Sequence, residues 1–321
     1  MRKTFVLQFY RNQEALLMAN PYKGASGSFW ELYAQGRPRL PESILRRIWE
    51  YHASSGGSFE VVHEPGAGIG LHTERLAEKF RHVIVSDTER SSLDIATTRL
   101  RGLTNAEYRL AKLENAARVP RAGIDMVVAI DMTHFTDTGK MLEAVHRQLK
   151  PGGTFAVILV GPSKLDEPAA QNIWKPIWWS NLEAVTQSSV GGKARDHPWL
   201  ERFVNGLDAV PLPEHMFEPV AVRIHINTAG DWHDEVLPPG LQFDKAPSHS
   251  NQSDHVLHIE EEEDLRLTMD ISGLREQLAA MSPAGLSTKI ERSLEELDRS
   301  LNGRKVSGHF LVQCLLATKR R

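Results

Sequence analysis

The sequence predicts an α/β protein: a mostly parallel sheet with helices on both faces. Three observations lead there. Apolar runs of strand length alternate with helical patterns from Phe59 to about Val160. A bare turn, Gly66-Ala67-Gly68-Ile69-Gly70, separates the first of these strands from the first helix. Acids stand near the ends of the first two strands, Glu64 and Asp87. Regular alternation implies parallel strands joined by crossover helices. Glycine belongs at such a crossover where the backbone takes a positive φ or a ligand comes closer than a Cβ permits.

Taken in order, the opening "MRKTFVLQFYRNQE" places a short apolar patch after two charges and lacks a small-residue cleavage site, so no targeting segment is expected. The first fifty residues read as mostly helical. "FWELYAQGRPRLPESILRRIWEYH" breaks at Gly36 and Pro38, then resumes helical spacing with Ser43, Ile44, Leu45, Ile48 and Trp49. "SSGG", Ser54 to Gly57, is a loop. "FEVVH", "HVIVSD", "AEYRL", "IDMVVAI" and "TFAVILVG" then read as strands, between "LHTERLAEKF", "SSLDIATTRL" and "GKMLEAVHRQLK" as helices. "LKPGG", Leu149 to Gly153, ends a helix in a turn.

Beyond Gly161 the rhythm fails. The region to about Ser248 mixes tryptophans, "PLPE" and "LPPG" turns and one strand, Val220 to Thr228. "SDHVLHIEEEEDLRLTMDISGLREQLAAM" holds a helical stretch and an acidic run, Glu260 to Asp264. That run is expected to be a solvated face or loop, because consecutive acids rarely all point at one ion. "STKIERSLEELDRSL" is a last helix, "GHFLVQCLLATKR" a strand that closes the sheet, and "KRR" a solvated tail.

Thirty-eight basic against forty-one acidic residues leave a formal charge of -3, no field to draw nucleic acid or an anionic membrane. A small-molecule partner is expected. The single cysteine, Cys314, forms no internal disulfide and suits a reducing compartment. With no uncharged span of about 18 apolar residues, the expectation is a cytoplasmic protein. His197, His215, His225, His233 and His255 lack metal-ligand spacing, so no metal is expected.

The glycine spacing departs from the dinucleotide pattern G-x-G-x-x-G, and no G-K-[ST] follows, so a nicotinamide oxidoreductase is the weaker reading. The helix N-terminus beyond Gly70 offers unpaired N–H groups to a carboxylate or phosphate. A carboxylate at Asp87 suits both hydroxyls of a ribose, and one at Glu64 suits an ammonium. Ammonium, carboxylate and ribose on one molecule describe S-adenosylmethionine.

"EPGAGIG" followed by "VSD", then "IDMVVAIDMTHFTD" and "LKPGGTFAVILVGPS", resembles the class I S-adenosylmethionine-dependent methyltransferases. The preceding segment, with Tyr33, Arg37-Pro38 and Pro41, is similar to that of fungal methyltransferases of the trans-aconitate methyltransferase type. The likeness spans Phe29 to Ser163, and more loosely Gly308 to Lys319. It implies a Rossmann-like fold with a mostly parallel seven-stranded sheet. It also implies a helical lid over residues 1–55, a cofactor-binding core over 56–163, an inserted substrate cap over 164–290 that includes the strand 220–228, and a closing helix and strand over 291–321.

The resemblance puts the cofactor's methionine end over Glu64, Gly66, Gly68 and Gly70, with Tyr33 and Arg37 of the lid covering its carboxylate. Many relatives carry Asp where this chain has Glu64. Asp87 would hold the ribose, with Thr88 beside the adenine. Lys112, Leu113 and Glu114 would flank that base, although the family usually has an Asp near Lys112. Ile130, Asp131 and His134 would line the face where methyl donor meets acceptor.

His134 is the candidate catalytic base, with a packed or cofactor-contacting histidine as the other reading. No base is needed where the acceptor is a carboxylate or already ionised. Trp30, Trp174, Trp178 and Trp179 are candidate acceptor contacts, although tryptophans at helical spacing also make core. Asp125 reads as structural, and Asp87 can cap a helix while binding ribose. The expected activity is methyl transfer to an O or N nucleophile of a small molecule, a fungal specialised metabolite by resemblance. The alternative is a protein that binds the cofactor as a partner subunit or as a non-methylating catalyst.

Overall fold

The computed structural model describes residues 21–190, 198–228, 232–241 and 243–321. The helix expected within residues 1–20, the absence of a targeting segment there, and His197 lie outside them. In chain order the helices are α1 (Gly27–Gly36), α2 (Glu42–Ser54), α3 (Thr73–Lys79), α4 (Arg90–Arg99), α5 (Thr138–Gln148), α6 (Pro168–Val190), α7 (Pro198–Asn205), α8 (Trp232–Val236), α9 (Ile271–Ala279) and α10 (Thr288–Leu301). The strands are β1 (Val61–Pro65), β2 (His82–Asp87), β3 (Ala106–Leu110), β4 (Ile124–Ile130), β5 (Leu149–Leu165), β6 (Val222–Ile226), β7 (His255–Ile259), β8 (Arg266–Met269) and β9 (Val306–Thr318).

One sheet runs β3-β2-β1-β4-β5-β9-β6-β7, with β8 added along β9. β3 to β5 are all parallel, β9 runs antiparallel to β5 and β6, and β7 is parallel to β6. Among the described residues the sheet therefore has nine strands where seven were expected. The two additions are β7, within the acidic segment's approach, and β8, which pairs Arg266 to Met269 with His309 to Val306. β5 also continues past Gly161, where Ser163, Lys164 and Leu165 pair with Phe310, His309 and Gly308. β7 and β8 exist because β6 and β9 offer them an edge, a cause that lies far away in the chain.

β4 is buried along its whole length, as a central parallel strand covered on both faces must be. Val127 and Ala129 join the core under α5, α6 and α10, and Met126, Val128 and Ile130 the core under α2, α3 and α4. Asp125 is structural, accepting from Ser58 Oγ at 2.6 Å, Val61 N at 2.9 Å and Lys150 Nζ at 2.8 Å. Pocketed ligands sit beyond the carboxyl ends of such strands, where the order reverses between β1 and β4. α1 is brought over that edge by a close crossing on α9: a Cβ on Gly36 would run into the Glu276 carbonyl. No described helix is long and apolar enough to cross a membrane.

The acidic run forms a loop and a short 3-10 turn whose acids hold α2, with Asp264 accepting from Ser43 N at 3.2 Å and Glu262 pairing with Arg47 at 3.4 Å. On β6 the alternating pattern hides a buried charge. Arg223 and Asp254, 2% and 1% exposed, pair at 3.0 Å, and Arg223 Nη1 donates to the Leu207 carbonyl at 2.8 Å. Removing one partner strands the other charge. Asp254→Ala is therefore expected to lower stability by about 3–5 kcal/mol, read by urea denaturation, with Asp254→Asn losing less.

Candidate active site

The carboxyl ends of β1, β2 and β4 and the last turns of α1 enclose three adjoining cavities. The largest, about 560 Å³, runs from Trp30, Asp87 and Thr88 to Lys112, Leu113 and Glu114, with Gly66 and Gly68 on its floor. A second, about 20 Å³, lies among Arg37, Glu64, Gly66 and His72. The third, about 60 Å³, is walled by Tyr22, His134, Phe135, Trp178, Trp199 and Phe203. Tyr33 and Asp131 line all three.

The glycine turn is built for a close neighbour. Gly66, Gly68 and Gly70 have φ of +64°, +57° and +73°, the left-handed region that side chains avoid. A Cβ on Gly66 would press on Met132 at 2.7 Å, and one on Gly70 on Leu100 at 2.6 Å. Around Gly68 nothing lies within 4 Å, so its open face is the cavity itself. Gly70 faces α4 and lines none of the three cavities. The helix beyond it begins only at Thr73, whose Oγ1 turns inward to donate to Glu64 Oε2 at 2.6 Å. The expected helix terminus at Gly70 is thus replaced by a tight turn, Gly70 N to Ala67 O at 2.9 Å.

Asp87 is fixed by the turn it serves: Gly68 N donates to Oδ2 at 2.8 Å and Glu89 N to Oδ1 at 2.7 Å. Each oxygen keeps a lone pair for a ligand hydroxyl. Burial raises the pKa of Asp87 against those donors. Burial also pushes Glu64 from 4.5 up to about 7, against the Thr73 hydrogen bond. Asp131 takes φ +50° at the end of β4, accepts from Val160 N at 2.7 Å and forms an ion pair with Arg37. Burial raises the Asp131 pKa, and Arg37, which burial alone would lower, is held up by that carboxylate.

Of the four tryptophans, Trp178 lines the 60 Å³ chamber. Trp30 belongs to the large cavity instead, its Nε1 donating to Ser91 Oγ at 3.3 Å. Trp174 is fully buried and donates to the Ser163 carbonyl at 2.9 Å, and Trp179 packs at the core's margin under Lys175. His134 lines the chamber, but burial, then Arg202 and Arg37, bring its pKa to about 3, so it is neutral and weakly basic. Ile130, Lys112, Leu113, Glu114 and Thr88 stand on the large cavity's wall.

Sequence reasoning missed Tyr22, His72, Met132, Phe135, Trp199 and Phe203 on these walls. Trp199 and Phe203 recur four apart on α7 and show as an apolar helical stripe, yet nothing local says that the stripe faces a cavity. His72 accepts from Leu40 N at 3.5 Å and is neutral, burial with Arg37 and Arg39 lowering its pKa to about 3.

Two outcomes check this geometry. Gly68→Ala puts a Cβ into the large cavity at a left-handed backbone; a fold that survives with nucleoside affinity reduced about tenfold or more is expected from titration calorimetry, since the strain alone is about 1–2 kcal/mol. For Glu64, a folded pKa above the unfolded 4.5 means the native state binds the extra proton, so stability falls as pH rises from about 4.5 to about 7. Glu64→Gln is expected to flatten that part of the stability profile, measured by thermal unfolding across pH.

Comparison with known proteins agrees with the architecture. Residues 62–153 match the methyltransferase domain family. A methyltransferase of Claviceps purpurea is 33% identical over 91% of this chain and 92% of its own. Methyltransferase tpcM of Aspergillus fumigatus is 33% identical over 92% of each. The solved structure of a proposed type II methyltransferase from Anaeromyxobacter dehalogenans, 16% identical, superposes with a TM-score of 0.50 over 88% of this chain and 96% of that one, which speaks to the fold alone. With a sheet of this order and relatives this close over nearly the whole sequence, the chain belongs to the methyltransferase family.

Proposed function

We propose that the chain transfers a methyl group from S-adenosylmethionine to an oxygen or nitrogen nucleophile of a small molecule, a fungal specialised metabolite by the company its relatives keep. The observation that carries this reading is the convergence of three cavities at Tyr33 and Asp131. The residues present fit the cofactor: a left-handed glycine open to the cavity, a pinned carboxylate with spare lone pairs, and a separate acidic recess.

In this reading the 560 Å³ cavity takes the nucleoside, with Asp87 accepting from ribose hydroxyls and Thr88, Lys112, Leu113 and Glu114 around the base. Glu64 and Arg37 take the ammonium and carboxylate of the methionine end. When bound, the cofactor supplies an electrophilic methyl group on a cationic sulfur. The chain's contribution is alignment and dryness: the Tyr22, Phe29, Trp30 and Tyr33 rings pack on one another, and Tyr22 meets Phe135 edge-on at 6.2 Å where both line the 560 Å³ and 60 Å³ cavities. α1 thus acts as a lid, and α6 and α7 as the cap of the acceptor chamber. A cytoplasmic location goes with this role.

Two measurements test it. Calorimetry with S-adenosylhomocysteine is expected to show binding that Asp87→Ala weakens by about tenfold or more, as loss of charge-assisted hydrogen bonds of about 1.5–3 kcal/mol requires. Incubation with labelled cofactor and an extract of the source organism is expected to yield a product heavier by one methyl group. Binding without any such product favours the non-methylating reading, and no binding ends both.

A further inference from the structure

Behind His134, on the side away from the methyl-transfer chamber, lies a cavity of about 330 Å³ lined by Thr133, Met141, Leu159, Arg202, Leu207 and Val210 among others. Among the described residues His134 alone lines both. Its ring is a partition held by packing: 4.1 Å from the Phe135 ring, 5.3 Å from Phe203 and 6.1 Å from Trp199. Its Nδ1 is buried and makes no hydrogen bond.

Two side chains touching that partition are in the same condition. Trp199 Nε1 and Arg202 Nη2 are buried donors without a partner. Arg202 donates through Nε to the His134 carbonyl at 2.8 Å, and none of the ion pairs among the described residues includes it. Burial lowers its pKa, while Asp137, Glu201 and Glu114 act on it only from a distance. Among the described residues Glu201 is the single acid in the cavity wall and it is exposed, so water hydrates it while Arg202 stays half-buried. Arg202 Nη2 is itself shut off from the cavity, but the side chain lines the cavity wall outside any ion pair among the described residues, and such a guanidinium is suited to a planar oxyanion, which it binds in two-pronged fashion. Arg202 lines the 330 Å³ cavity and Trp199 the 60 Å³ chamber, one on each side of the His134 ring, and buried polar groups left unpaired call for an explanation.

We propose that this cavity is a second subsite for the methyl acceptor, receiving an oxyanion of that molecule, a carboxylate or an ionised ring hydroxyl, on Arg202. The inference rests on the methyl-transfer reading above and adds to it where the far end of the acceptor goes. The 60 Å³ chamber holds the reacting group and little more. The rest of the molecule passes the His134 ring, which loses no Nδ1 hydrogen bond in turning aside.

The test uses the full chain saturated with S-adenosylhomocysteine, titrated with 2-naphthoate and with its uncharged isostere 2-naphthamide. The expected result is that naphthoate binds about tenfold or more tightly than the amide. Arg202→Met is expected to abolish that preference and Arg202→Lys to keep part of it, with S-adenosylhomocysteine affinity unchanged in both. Equal binding of the two probes, binding of neither below millimolar, or a preference that survives Arg202→Met overturns the subsite. Should Arg202→Met fail to fold, the wild-type comparison and the lysine variant decide. Failure of S-adenosylhomocysteine to bind the wild-type chain overturns the methyl-transfer reading instead.

Discussion

The carboxylate of Asp131 ties together parts that otherwise share nothing. It leaves β4 in a left-handed conformation that a non-glycine residue adopts at a cost of about 1–2 kcal/mol, and it persists because its surroundings over-determine it. Oδ1 accepts from Val160 on β5, and Oδ2 meets Arg37 just beyond α1. Strained backbone, sheet and the end of α1 are thus joined through one side chain. The pair is largely sheltered, its side chains 15% and 14% exposed, so removing one partner leaves the other short of its countercharge and frees α1 from the sheet.

Around that point the charges are unbalanced in an informative way. Glu64, Asp87 and Asp131 converge on the cavities, Glu64 with a pKa pushed up to about 7 by burial, and Arg37 neutralises only Asp131. Glu64 is left in a recess of about 20 Å³ that offers it little water, while Asp87 faces the 560 Å³ cavity, which Lys23 and Lys112 also line. A ligand carrying positive charge in the recess relieves Glu64, and an ammonium is such a group. Glu64 would then be held ionised by what it binds, since an opposite charge nearby favours the charged form.

The parts legible in sequence were those whose cause is local. The alternation from β1 to β5, the positive-φ glycines at 66 and 68 and the acid closing β2 all follow from period and backbone sterics within some thirty residues. Gly70 carried the same signature for a different reason, room for Leu100, and sequence alone does not distinguish a ligand's approach from a side chain's. Likewise Trp174, Trp178 and Trp179 share one helix, yet only the middle one meets the chamber, because the direction of α6 is set by its packing on β5 and α10. β7 and β8 were invisible for want of their partners. The 60 Å³ chamber draws on residues as far apart as Pro21, Tyr33, Asp131, Gly161, Trp178, Phe203 and Met281, so no contiguous pattern announces it.

What the chamber lacks constrains what it can methylate. The imidazole of His134, with a pKa brought to about 3, holds a proton taken from an alcohol too weakly to activate it. Glu64 lies in another recess, and Asp131 is engaged by two donors. A nucleophile with a pKa far above neutrality would therefore arrive protonated and stay so. A carboxylate or an acidic ring hydroxyl arrives ionised and needs only alignment and a dry path. The absence of a strong base is then consistent with the acceptor's own acidity supplying what the protein does not.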